Sequence, residues 1–130
     1  MIKEITEKYN VKLYEVQPGD KYCQAMDDET YHNSSYCAGS VRNDPELWLG
    51  FYDDEELRLI SFFHEMGHMI DDTPYEDGMT VYDFEKIAWE KGYILAKEYG
   101  VKFSRKAKGW ATRQLNSYKG FEEREAGITA

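Results

Sequence analysis

The stretch from Asp53 to Pro74 constrains this chain more than any other part of it. Asp53 is a good helix N-cap, and Glu56 follows three positions later, the spacing of a capping box. The run EELRLISFFHEMGHMI comes next, and Asp71-Asp72-Thr73-Pro74 closes it, because proline cannot continue a helix. This pattern predicts a helix over about residues 54–70. On such a helix His64 and His68, four apart, stand on one face and one turn apart. The chain has only three histidines, and this face takes two of them.

That spacing has a chemical meaning. Two imidazoles one turn apart can reach one zinc ion at about 2.0–2.1 Å. Glu65, next to the first of them, projects beside such an ion rather than into it. There it can take a proton from a water that the metal activates and pass it to a leaving amine. His64, Glu65 and His68 together form an H-E-x-x-H motif. The match also has a bland reading, as ordinary histidines on a helix. The apolar run before the motif and Gly67 within it weigh against that. A glycine inside a helix costs about 1 kcal/mol against alanine, and one that is tolerated there usually admits a close neighbour.

A catalytic zinc needs a third protein ligand and an open position. No third histidine follows at a suitable spacing, and His32 lies upstream. The carboxylates of the next predicted helix, about residues 80–99 and ending before Gly100, are Asp83, Glu85, Glu90 and Glu98. Glu85 is the preferred candidate and Glu90 the alternative. At 3, 7 and 11 residues beyond Glu85 stand Ala88, Gly92 and Ala96, a face of small side chains that can approach Gly67. Glu90 and Glu98 also read as solvated helix surface. Asp71 or Asp72 is expected to orient His68 from behind. An oxyanion donor is expected too, with Tyr75 and Tyr82 near in sequence but unassigned among 11 tyrosines.

The rest of the chain supplies a frame. Its 130 residues suit a single domain, residues 1–130, without linker or repeat. A short helix is expected over 2–9, and strands over 11–16, 35–42 and 46–52, with Asn43-Asp44-Pro45 as a break. A last helix is expected over about 104–117. Residues 1–98 carry 22 acidic against 9 basic side chains, whereas 99–120 carry 6 basic and no acidic ones. The net charge of −9 argues against nucleic acid as a partner. The basic segment is expected to lie across the acidic body. No apolar run is long enough to span a membrane, and the first residues lack the core of a signal peptide, so a cytoplasmic location is expected. Cys23 and Cys37 are too far apart for a C-x-x-C motif and are expected as free thiols, with a disulfide between them left open.

The string from His64 to Asp72, H-E-M-G-H-M-I-D-D, together with Glu85-Lys86-Ile87-Ala88, resembles the small gluzincins. These are compact zincins of bacteria and phages that include the ImmA/IrrE-type peptidases. The string is also similar to the catalytic domain of anthrax lethal factor. The resemblance covers about residues 46–96. It implies a third zinc ligand at the glutamate that opens an E-x-x-A segment, which is Glu85 here. It also implies that Glu46–Tyr52 is an edge strand on which a peptide substrate pairs, and that the protein is of phage or bacterial origin. A regulatory protein such as a repressor would be one such substrate.

These readings converge on an α+β, zincin-like fold: a small antiparallel or mixed sheet packed on an active-site helix and two further helices. The expected function is a zinc-dependent endopeptidase, with Zn2+ on His64, His68 and Glu85 and with Glu65 as base, acting on a protein or peptide. The alternative is a zincin-fold binding or inhibitory protein without peptidase activity.

Overall fold

Residues 43–49 alternate between buried and outward-facing positions, with Leu47 and Leu49 wholly enclosed. That period of two makes them a strand with one face on a core. The computed structural model describes residues 1–18, 32–74 and 76–129, with side chains described through residue 119. Cys23 and Tyr75 lie outside the described residues. In chain order the elements are α1 (Ile2–Lys8), β1 (Lys12–Glu15), β2 (Tyr36–Ser40), β3 (Asn43–Leu49), α2 (Glu55–Ile70), α3 (Val81–Glu98) and α4 (Arg105–Thr129). The class is α+β with a mixed sheet.

The sheet departs from expectation in two ways. Its order is β1-β3-β2, so the strand expected at the edge lies in the middle. β1 runs parallel to β3 and pairs Lys12 through Glu15 with Glu46 through Leu49. β2 runs antiparallel on the other side, pairing Tyr36 with Trp48 and Cys37 with Leu47. Both hydrogen-bonding edges of β3 are therefore used, and no further strand can join it. Among the described residues, β2 has the outer edge beside α2.

Asn43-Asp44-Pro45 does not break the strand either. The β2–β3 register shifts between Ala38 and Ser40, where Gly39 has φ +76° and Asp44 φ +50°. This bulge absorbs Pro45 at a place where the ladder needs no N–H. A Cβ on Gly39 would lie 2.4 Å from the Asp44 carbonyl oxygen, so the bulge requires glycine. The Val41 N–H at the hairpin tip donates to the Met69 carbonyl at 3.0 Å and ties the sheet to the end of α2.

α2 starts one residue later than expected. Asp54, not Asp53, is its cap and accepts from the Glu56 N–H at 2.7 Å. Asp53 instead holds His32 at 2.9 Å. Glu56 turns away to accept from the Ser104 N–H at 2.8 Å, and the Ser104 hydroxyl accepts from the Ala107 N–H at 3.1 Å. The start of α4 is thus pinned to the start of α2. Lys106 adds an ion pair to Asp54 at 3.0 Å, the one ion pair of the basic segment among the described residues. α4 also runs past the expected end near 117, through Thr129.

The core lies between the sheet and the helices, with Ile60, Phe62, Phe63, Met66 and Met69 of α2 at its centre. α3 is closed at its start by a capping box between Thr80 and Asp83. It crosses α2 at backbone contact. A Cβ on Gly67 would lie 2.0 Å from the Ala88 carbonyl oxygen, and one on Gly92 would lie 2.5 Å from that of Phe63. The two glycines interlock, each against the other helix's main chain. Gly67→Ala or Gly92→Ala must therefore force the helices apart. Either should destabilise the fold by about 1–3 kcal/mol or more in urea unfolding, as overpacking does. Wild-type stability in both variants would refute the close crossing.

Candidate metal centre

The crossing of α2 and α3 decides what meets at the surface above it. α2 presents His64 and His68 on one side, one turn apart, as the helical period requires. α3 presents Glu85 from its second turn. The Nε2 atoms of His64 and His68 each lie 3.0 Å from the same Glu85 oxygen, Oε2. One ligand atom from each of the three side chains falls within 4.8 Å of the others. A tetrahedral ion bound at about 2.0–2.1 Å holds its ligand atoms roughly 3.3 Å apart, so the cluster has the right scale for one. Two imidazoles and a carboxylate are also a donor set that zinc accepts.

The electrostatics follow from burial and from the pairing. Burial raises the Glu85 pKa, but hydrogen bonds and charge from the two imidazoles outweigh it and bring it down to about 2. Burial lowers that of His68, and Glu85 outweighs this in turn and lifts it. Glu65 is almost fully enclosed, and desolvation pushes its pKa up against the opposing pull of His64. The Cys37 thiol on β2 lines the same cleft as Glu65, and its pKa is driven up, first by burial and then by the Glu65 charge. Cys37 carries a free thiol.

On the side away from Glu85, His64 is held by packing rather than by a hydrogen bond. Its ring stacks on Trp89 with centroids 4.0 Å apart and planes at 22°, and its Nδ1 has no partner among the described residues. Asp71 does not hydrogen-bond His68, although its charge helps to lift the His68 pKa. Its carboxylate instead accepts from the Thr73 N–H at 3.0 Å. Asp72 pairs with Arg42 at 3.2 Å. Neither aspartate orients a histidine by a hydrogen bond, because the chain turns away where α2 ends.

The other carboxylates considered from sequence do not reach the cluster. Glu90 and Glu98 are exposed, and Asp83 is used in the cap of α3. Tyr82 lies under the Lys119 ammonium, 4.9 Å from its ring centroid. The tyrosine at the centre is Tyr118 of α4, which sequence reasoning missed. Burial, then the nearby Glu85 and Glu65 charges, push its pKa up to about 12. A helical stripe would have found it: Trp110, Gln114, Ser117 and Tyr118 follow the i, i+4, i+7, i+8 spacing, and all line the cavity beside Glu65.

His64, Glu65, His68, Glu85 and Tyr118 all line one open cleft, whose rim is the β2 segment Ser35-Tyr36-Cys37. No family model, curated protein or solved structure matches the chain. The cluster geometry leads to a measurement on metal binding. Zinc titration should find one site. Glu85→Ala should weaken it by more than the roughly 10–100-fold that loss of a supporting hydrogen-bond partner costs, and Glu90→Ala should leave it unchanged. Proton and metal compete for the His68 nitrogen, whose pKa is raised, so affinity should fall steadily from pH 8 to pH 5.5. Equal affinities for the two variants would remove Glu85 from the site.

Proposed function

We propose that this protein is a zinc-dependent endopeptidase of gluzincin type with a zincin-like fold. One observation carries the reading: His64, His68 and Glu85 converge on one point, and Glu65 faces the same cleft. Zinc held by these three side chains would supply Lewis acidity, polarising a carbonyl and lowering the pKa of a water toward about 7. The remaining work falls to the protein's own groups.

Glu65 is the general base. Burial shifts the pKa of its enclosed carboxylate upward, which makes it a stronger base than a solvated glutamate. It takes the proton from the attacking water and hands it to the amine that leaves. Tyr118 is the oxyanion donor. With its pKa at about 12 its hydroxyl stays protonated at neutral pH, available to the carbonyl oxygen as charge builds there.

The substrate strand pairs with the outer edge of β2. β2 borders the cleft through Ser35, Tyr36 and Cys37, whereas β3 has no edge to offer. Main-chain hydrogen bonds along β2 would supply affinity independent of sequence.

Glu65→Gln should abolish peptide cleavage while zinc stays bound at full occupancy. Tyr118→Phe should lower kcat by about 10²–10³ with little change in KM, the usual cost of losing an oxyanion donor. Mass spectrometry of a peptide mixture, with metal content measured in parallel, reads both. Cleavage that survives Glu65→Gln would overturn the mechanism. A zinc-loaded wild type that cleaves nothing would favour a binding protein instead.

A further inference from the structure

A second cavity adjoins the cleft and shares Ser35, His64, Glu65 and Tyr118 with it, and the mechanism above gives no role to the rest of its lining. Its volume is about 120 Å³. Sites for independent small molecules usually run to roughly 300–1,000 Å³, so this one has the size of a single side chain. Tyr52 and Ser61 line it, Trp89 and Trp110 wall it, and Gln114 stands at its mouth. His64 and Glu65 form its border with the cleft.

We propose that this cavity selects the substrate: it receives an uncharged polar side chain, above all the amide of asparagine or glutamine, from a residue flanking the scissile bond. The inference rests on the peptidase reading and names its substrate class.

Three observations carry it. The first is an unmet hydrogen-bonding group. Ser61 is only 5% exposed. Its hydroxyl approaches that of Tyr52 without reaching hydrogen-bonding geometry, and it has no partner among the described residues. Tyr52 itself is engaged by Ser35 at 2.7 Å. A buried hydroxyl left unpaired is costly, and an entering polar group relieves that cost.

The second observation is charge. Among the described residues no lysine or arginine lines the cavity, and Glu65 borders it. An acidic side chain would enter unpaired beside a carboxylate. A basic one would pair with Glu65 and withdraw the base from the reaction.

The third is the mix of donors and acceptors. The Ser61 and Tyr52 hydroxyls and the Gln114 amide offer both kinds, and an amide side chain brings both. An apolar side chain would bury these groups without partners. Sites built to hydrogen-bond discriminate strongly against such analogues.

The test uses the zinc-loaded full chain and a synthetic peptide library with every residue type at each position, cleavage sites being read by mass spectrometry. Asparagine or glutamine should be enriched at least tenfold on one side of the cut. Ser61→Ala should cut kcat/KM for the best amide peptide at least tenfold, while its leucine counterpart changes less than threefold and zinc content is unaltered. Gln114→Leu, at the exposed mouth and so safe for folding, should shift the preference in the same direction. Glu65-dependent cleavage without amide preference, or a ratio unmoved in both variants, overturns the inference and leaves the peptidase reading standing. If no peptide is cut, the peptidase reading fails. Capture of the same library on zinc-loaded Glu65→Gln then decides the cavity: amide enrichment supports it, and an unselected pool overturns it.

Discussion

The helices that carry the histidines and Glu85 meet through main chain rather than through side chains. Gly67 sits against the Ala88 carbonyl and Gly92 against that of Phe63, so each glycine opens the space the other helix fills. With any larger residue at either place the axes would separate, and a glutamate on one helix would no longer reach both imidazoles of the other. The 3.0 Å distances from Glu85 to the two Nε2 atoms are a consequence of that crossing. The propensity cost of a glycine in mid-helix is the cost of the site's geometry.

Around this crossing the remaining elements act as supports. α4 is pinned at its start by Glu56 and Asp54 of α2, and this brings Tyr118, thirteen residues after Arg105, over the cluster. The β2–β3 hairpin is tied by Val41 to the last turn of α2, which lays Cys37 against Glu65. The cleft is therefore walled by four separate parts of the chain, β2, α2, α3 and α4. Burial and opposite charge then pull the titrating groups apart: Glu85 down, Glu65 up and Tyr118 up, all within one small volume. Such separation of pKa values among neighbours is common where acids and bases are given different tasks.

The fold was legible in outline from local rules. The cap and apolar run marked α2, Gly100 marked the end of α3 with φ +74°, alternation over residues 11–16 marked β1, and the aromatic-rich run over 46–52 marked part of β3. Where reading failed, the cause was tertiary. Asp53 and Asp54 are equally good caps by type, and the choice fell to Asp54 because His32 and Asn33 engage Asp53. Pro45 looked like a break because only a partner strand with Gly39 opposite could supply a bulge for it.

The sequence by itself determined the motif and the face on which its histidines stand. His64 and His68 share a face because the helix period requires it, and Glu85 follows from a stripe of small residues whose use as a contact face is a local property of α3. Only the tertiary structure decided the rest. It made β2 rather than β3 the strand that borders the cleft, because strand order depends on pairing across the chain and leaves no trace in either strand's own residues. It brought Tyr118 to the centre in place of nearer tyrosines, because α4 reaches that point only through its anchor on α2. It also assembled a polar cavity beside Glu65 from Asn33–Ser35, Tyr52 and three helices, a site that no single segment contains.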